Sequence, residues 1–140
     1  MGSWANKFEQ PTKKDLLADL DKERAALIEK TYKSINSTLG TKPRLTWLDL
    51  PWRWSFEYTC PDHGLLENIF LIPDPESPRI AVTIRSTFFE KHAPDTFPKL
   101  LRAGMAAGVL INHQTWCHWD LTDKDFLAEF EDFLDLALKG

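Results

Sequence analysis

The nine residues Trp52-Arg-Trp-Ser-Phe-Glu-Tyr-Thr-Cys60 constrain this chain more than any other stretch. Trp52, Trp54, Phe56, Tyr58 and Cys60 fall on one parity, and Arg53, Ser55, Glu57 and Thr59 on the other. Such a period of two is the signature of a half-buried strand, because successive side chains leave opposite faces of a pleated backbone. Pro61-Asp62-His63-Gly64 reads as a turn, and LLENIFLI after it as the returning strand of a hairpin. Pro73 to Pro78 make the next turn. In RIAVTIR, Ile80, Val82 and Ile84 then point inward and Arg79, Ala81, Thr83 and Arg85 outward. Three antiparallel strands in succession form a meander whose outer face is expected to carry Arg53, Glu57, Arg79 and Arg85.

Helical patterns flank this meander. Thr12 with Asp15 three residues on is a capping signal, and Pro11 prevents an earlier start. Apolar residues from Leu16 to Leu39 recur at three- and four-residue steps until Gly40 and Pro43 stop the helix. A single helix of that length would run to ~40 Å, too long for a domain of this size, so a break near Asp19 to Lys22 is expected. Thr96 to Ala107 has helical composition, with Leu100, Leu101, Met105 and Ala106 toward the core. Val109 to Asn112 and Thr115 to Leu121 are read as two short strands. Thr122 is the expected cap of a final helix in which Phe126, Leu127, Phe130, Phe133, Leu134, Ala137 and Leu138 make one apolar stripe. The expected fold is therefore α+β. An antiparallel sheet, a three-strand meander plus one or two later strands, is packed by N-terminal, middle and C-terminal helices. With 140 residues the chain suits one domain, 12–140, preceded by a loosely held arm or appended remnant over 1–11.

Charge is unevenly distributed. Residues 1–119 hold 15 basic against 14 acidic side chains, whereas 120–140 hold seven acids and two lysines, so the net charge of −4 originates in the last helix. An acidic chain with a pI near 5.5 argues against nucleic acid or an anionic membrane as the main partner. Two cysteines make no disulfide framework, and no apolar stretch of about 20 residues suggests a span. A reduced, cytoplasmic protein, monomeric or homodimeric, is the expectation.

Three sets of residues could carry function. Trp47, Trp52, Trp54, Trp116 and Trp119 could line an aromatic groove for a protein partner or small ligand, or else fill a Trp-rich core. Trp116 and Trp119 leave opposite faces of one strand, so both cannot be core. Asp123, Asp125, Glu129, Asp132 and Asp135 could present a negative face to a basic toxin or nuclease, or simply be the solvated side of a helix. Cys60 and His63 with His113, Cys117 and His118 have the ligand types for zinc or a thiol nucleophile. Adjacent residues of a strand diverge, however, and neither thiol sits at a helix start, so no metal site, cofactor or catalytic residue is assigned. Phosphate-loop, nucleophile-elbow, HExxH and dinucleotide motifs are absent from the sequence, and an enzyme is not expected.

The Trp-x-x-Trp strand and Phe/Leu-rich helix of WCHWDLTDKDFLAEFEDFLDLALK, with WRWSFEY, the Pro73 turn, AVTI and Phe89-Glu90-Lys91, resemble small bacterial proteins of the MmcQ/YjbR-like (CyaY-like) group over residues 45–139. The resemblance implies an α+β sheet capped by helices and brings no catalytic residues. The order of elements is equally similar to type III secretion chaperone-like folds, which would imply partner binding. Both are likenesses of fold and do not decide function; on the absence of catalytic motifs, a non-enzymatic binding or interaction module is the expected function, with an acidic inhibitor or immunity protein and a Cys/His enzyme as alternatives.

Overall fold

A computed structural model of the chain describes residues 3–48, 52–60, 65–85, 97, 99–111 and 114–138. The fold is α+β, with six antiparallel strands in the order β1-β2-β3-β4-β6-β5. These are β1 (Arg44–Trp47), β2 (Trp54–Thr59), β3 (Leu66–Ile72), β4 (Arg79–Arg85), β5 (Val109–Ile111) and β6 (Gln114–Asp120). Four α-helices are described, α1 (Lys13–Ala18), α2 (Lys22–Leu39), α3 (Lys99–Ala106) and α4 (Lys124–Leu138).

The helices begin and end for local reasons. Thr12 and Asp15 exchange backbone-to-side-chain hydrogen bonds of 3.1 and 3.0 Å, closing the capping box, and these bonds hold the Asp15 carboxyl below its ordinary range. The expected break is present, because Asp19 ends α1 and the Asp21 carboxylate restarts the chain by accepting the Arg24 N–H at 2.8 Å. Gly40 stops α2 at φ 68°, donating its N–H to Asn36 O at 2.8 Å. At the head of α4 the cap is Asp123 rather than the expected Thr122: its Oδ1 accepts the Phe126 N–H at 3.0 Å.

The sheet extends the expected meander by one strand. Residues 44–47 are too short to show a period, yet they pair with β2 from Arg44 opposite Glu57 to Trp47 opposite Trp54. Leu48 N–H donates to Arg53 O at 2.8 Å and closes that hairpin. The two later strands are also formed, with β6 alongside β4 and β5 outside it. In α3, Ala106 is exposed instead of facing the core, while Leu101 and Met105 are buried. The segment of 1–11 that is described includes a 3-10 turn (Ser3–Ala5) and a buried Pro11, and Asn6 O accepts the Trp54 indole N–H at 2.7 Å.

One face of the sheet makes the main core with the helices. Phe56, Tyr58, Ile69, Leu71, Val82, Cys117 and Trp119 share a buried cluster with Leu16, Ile28, Ile35, Leu101 and the α4 stripe. Tyr32 of α2 meets Phe56 edge to face at 5.4 Å, and the Tyr58 hydroxyl donates to Asn36 Oδ1 at 2.7 Å. On the α4 side, Trp119 contacts Phe126, Phe130 and Phe133 at about 6 Å. Its indole N–H donates to Leu101 O at 2.8 Å. The opposite face departs from the expected solvated one. Ser55, Ala81 and Thr83 are almost fully buried there, and a second apolar cluster is built on Phe70, Ile72 and Ala81.

Candidate functional site

That second face holds an aromatic cluster. Strand alternation places Phe70 and Ala81 opposite one another on β3 and β4, and Trp116 and His118 on the same side of β6. Phe70 stacks on Trp116 with ring centroids 5.6 Å apart and planes 12° from parallel. Trp52 completes the set, 6.1 Å from Trp116 and 5.6 Å edge-on from His118. Phe70 is buried beneath, Trp52 and Trp116 are half-buried, and His118 is exposed. Trp4 and Leu48 pack at the margin of this cluster.

Trp52 is here because alternation fails at Arg53. That residue has φ 40°, the left-handed region that side chains other than glycine rarely adopt, and Trp52 lies just ahead of β2 rather than within it. Continued alternation would have put Trp52 with Trp54 in the helix-facing core. The turn instead delivers it to the other face, while the Arg53 guanidinium lies over the Trp4 ring at 5.3 Å.

Charged groups on the same face are paired with one another. Arg44 reaches Glu57 at 3.4 Å, and Thr46 Oγ1 donates to that carboxylate at 2.9 Å. Arg85 pairs with Glu67 at 3.3 Å, Gln114 also donates to Glu67, and Arg79 pairs with Asp120 at 3.3 Å. These ion pairs rim the aromatic cluster.

The five tryptophans selected from the sequence therefore divide. Trp52 and Trp116 come together on the side away from the main core. Trp54 and Trp119 are core residues, 7% and 5% exposed, with their indole N–H groups bonded inside the protein. Trp47 lies on the helix-facing side of β1, edge-on to Trp54 at 5.6 Å. Phe70 was missing from the sequence selection, and its signal was the unbroken apolar run Ile69 to Ile72, the pattern of a strand covered on both faces.

The acidic set also divides. Asp125, Asp132 and Asp135 project from α4 into solvent, Asp123 is the helix cap, and Glu129 is half-buried with Oε1 lacking a hydrogen-bond partner. Neighbouring Glu131 accepts the Ser34 hydroxyl of α2 at 2.6 Å.

The Cys/His set does not assemble among the described residues. His63 and His113 lie outside them. Cys117 is in the core and adjacent His118 is on the opposite face. Burial pushes both thiols up to about 12, with Arg85 opposing it weakly at Cys60, so neither carries appreciable thiolate near neutral pH. Among the described residues no group of three or more His, Cys, Asp or Glu side chains could hold a metal ion.

A cleft of about 660 Å³, not foreseen from the sequence, lies between the start of α2, the β3–β4 turn and the start of α4. Two helix N-termini line it, but each is capped by its own aspartate, Asp21 or Asp123, and Asp21 further pairs with Arg24 at 2.6 Å. Asp120 is likewise engaged by Ser77 and Arg79. The carboxylates of Asp21, Asp120 and Asp123 in this cleft are thus already used in holding the fold.

Comparisons with protein-family models, curated proteins and solved structures found no match to this chain. No helix among the described residues is long and apolar enough to cross a membrane.

Proposed function

We propose that this protein is a non-enzymatic, cytoplasmic binding module that holds a protein partner, or a small flat ligand, against the aromatic cluster on the face of its sheet turned away from the main core. The observation that carries this reading is the joining of Trp52, Trp116 and His118 over Phe70, in a cluster to which, among the described residues, α1 to α4 contribute no apolar side chain. Large rings with partial exposure supply apolar area at little conformational cost, and tryptophans of this kind dominate binding energy where they occur at interfaces. The burial of both thiols weighs against a thiol enzyme.

The test is affinity capture from the native host, with wild-type protein compared with Trp116→Ala, Trp52→Ala and His118→Ala. A partner held by this face loses on the order of 30-fold in affinity with Trp116→Ala, the magnitude of an interface hot spot, and does so at low and high salt alike. A partner retained by all three folded variants defeats the proposal. Loss only on charge reversal of Asp125, Asp132 and Asp135, with strong salt dependence, would transfer the function to α4.

A further inference from the structure

The two edges of the sheet are unlike. At one end, β1 follows Lys42 and Pro43 and opens with Arg44, so a missing N–H and two cations blunt it. At the other end, β5 consists of Val109, Leu110 and Ile111, which are 58%, 66% and 47% exposed. It carries no charge, proline or bulge. Ordinary monomers protect such an edge, because its free main-chain groups are a template for another strand.

We infer that two copies of this chain pair through β5, antiparallel about Leu110, into a closed two-fold dimer with one continuous sheet. The strand suits itself as partner. In that register Leu110 faces its own counterpart, and Val109 faces Ile111 of the second copy in both directions, so every cross-strand pair is aliphatic and no like charges meet. The alternative, β5 of one copy on β1 of the next, would propagate into a filament, and the blunted β1 edge opposes it.

The buried area makes this a modest association. Exposures of 58%, 66% and 47% amount to fewer than two whole side chains, roughly 100–200 Å² of apolar surface per copy, against about 800 Å² per partner in a standard stable interface. The remainder must come from the new main-chain ladder and from α3, whose exposed Ala103 and Ala106 lie just ahead of β5 in the chain. Dissociation in the micromolar range is therefore expected. Pairing would also set the two aromatic patches on one shared face. Trp116 opposes Val109 on β6, so the two Trp116 rows would be three strand spacings, about 14 Å, apart. The inference rests on the edge and not on what the aromatic face binds, so either can fail alone.

Sedimentation velocity of the full chain over a dilution series from about 200 to 1 μM, spanning the affinity expected of so small an interface, tests it. The wild type should move from twice 16.2 kDa toward 16.2 kDa on dilution. Leu110→Lys should weaken the dimer at least tenfold, as should Ile111→Lys, which stands in if circular dichroism shows the first variant unfolded. Lys42→Glu at the opposite edge should leave it unchanged. A wild type that stays monomeric, or a dimer indifferent to both folded lysine variants, overturns the inference. Growth beyond the dimer that Lys42→Glu alters overturns the closed arrangement.

Discussion

Alanine is the best helix former and glycine among the worst, so Gly104→Ala in the middle of α3 should add about 1 kcal/mol of stability by propensity alone. The structure reverses the sign. An added Cβ would overlap Trp119 Nε1, lie 2.5 Å from Trp119 Cδ1 and come within 2.7 Å of the carbonyl oxygen of His118, which belongs to the β6 backbone and cannot rotate away. Trp119 has no free space either, since Phe126, Phe130 and Phe133 surround it at about 6 Å. Overpacking of this kind costs about 1–3 kcal/mol. Displacing the indole also breaks its 2.8 Å bond to Leu101 O, and a buried donor left unsatisfied costs a further 1–3 kcal/mol or so. After subtracting the propensity gain, net destabilisation is about 3 kcal/mol, with about 1 and 5 as the ends of the range. Urea unfolding followed by circular dichroism should show the midpoint lowered by about 1.5 M at an m-value near 2 kcal/mol/M. Combining Gly104→Ala with Trp119→Phe should cost less than the two separate losses together, by at least about 1 kcal/mol, because the smaller ring vacates the clash. A Gly104→Ala variant as stable as the wild type, or more so, would refute the claim that α3 touches β6 through this glycine.

Gly40→Ala is the complementary case: nothing lies within 4 Å of the added Cβ, yet φ is 68°, so urea titration should show a loss of about 1 kcal/mol from backbone strain alone. Tyr58→Phe should cost about 1 kcal/mol in the same assay, since the ring keeps its packing and what is lost is the hydroxyl's bonding to Asn36 Oδ1 at 2.7 Å and Tyr32 O at 3.3 Å. Cys60 and Cys117, held near 12 against about 9 for a free thiol, should have roughly a thousandfold lower thiolate fraction at pH 8 and resist a thiol reagent until denaturant is added. The same displacement fixes a pH dependence. Above pH 9 the unfolded thiols lose protons that the folded ones retain, so the native state binds more protons and stability falls by up to about 1.4 kcal/mol per pH unit per thiol until pH approaches 12. Tyr58, also raised by burial, adds to the decline at the alkaline end. Stability that is level or rising between pH 9 and 11 in denaturant titrations would contradict this.

Much of the architecture was legible because it depends on short-range rules. Alternation in WRWSFEYTC and RIAVTIR marked two strands, the Thr12 to Asp15 box marked a helix start, and the Phe/Leu stripe of α4 marked its buried side. β1 was invisible because four residues have no period, and it forms only because β2 offers an edge for pairing. The cap of α4 was misplaced by one residue because Thr122 and Asp123 are both good caps, and the final geometry selects the carboxylate that reaches Phe126 N–H.

The candidate site was legible only in its parts. Sequence identified tryptophans as the residues of interest and predicted that Trp116 and Trp119 would part company, which follows from local pleat. It grouped Trp52 with Trp54 because alternation was carried through Arg53, and a single left-handed residue is enough to reverse a face. Which strands lie side by side is a nonlocal matter. Only the pairing of β4 with β6 brings Trp116 beside Phe70, from a segment 46 positions away in the chain, and only that pairing leaves β5 at the end of the sheet with three aliphatic side chains exposed. Period, caps and charge are properties of neighbours along the chain and so belong to the sequence. Faces, edges and the joining of distant rings depend on strand order, which the closing of the whole core decides.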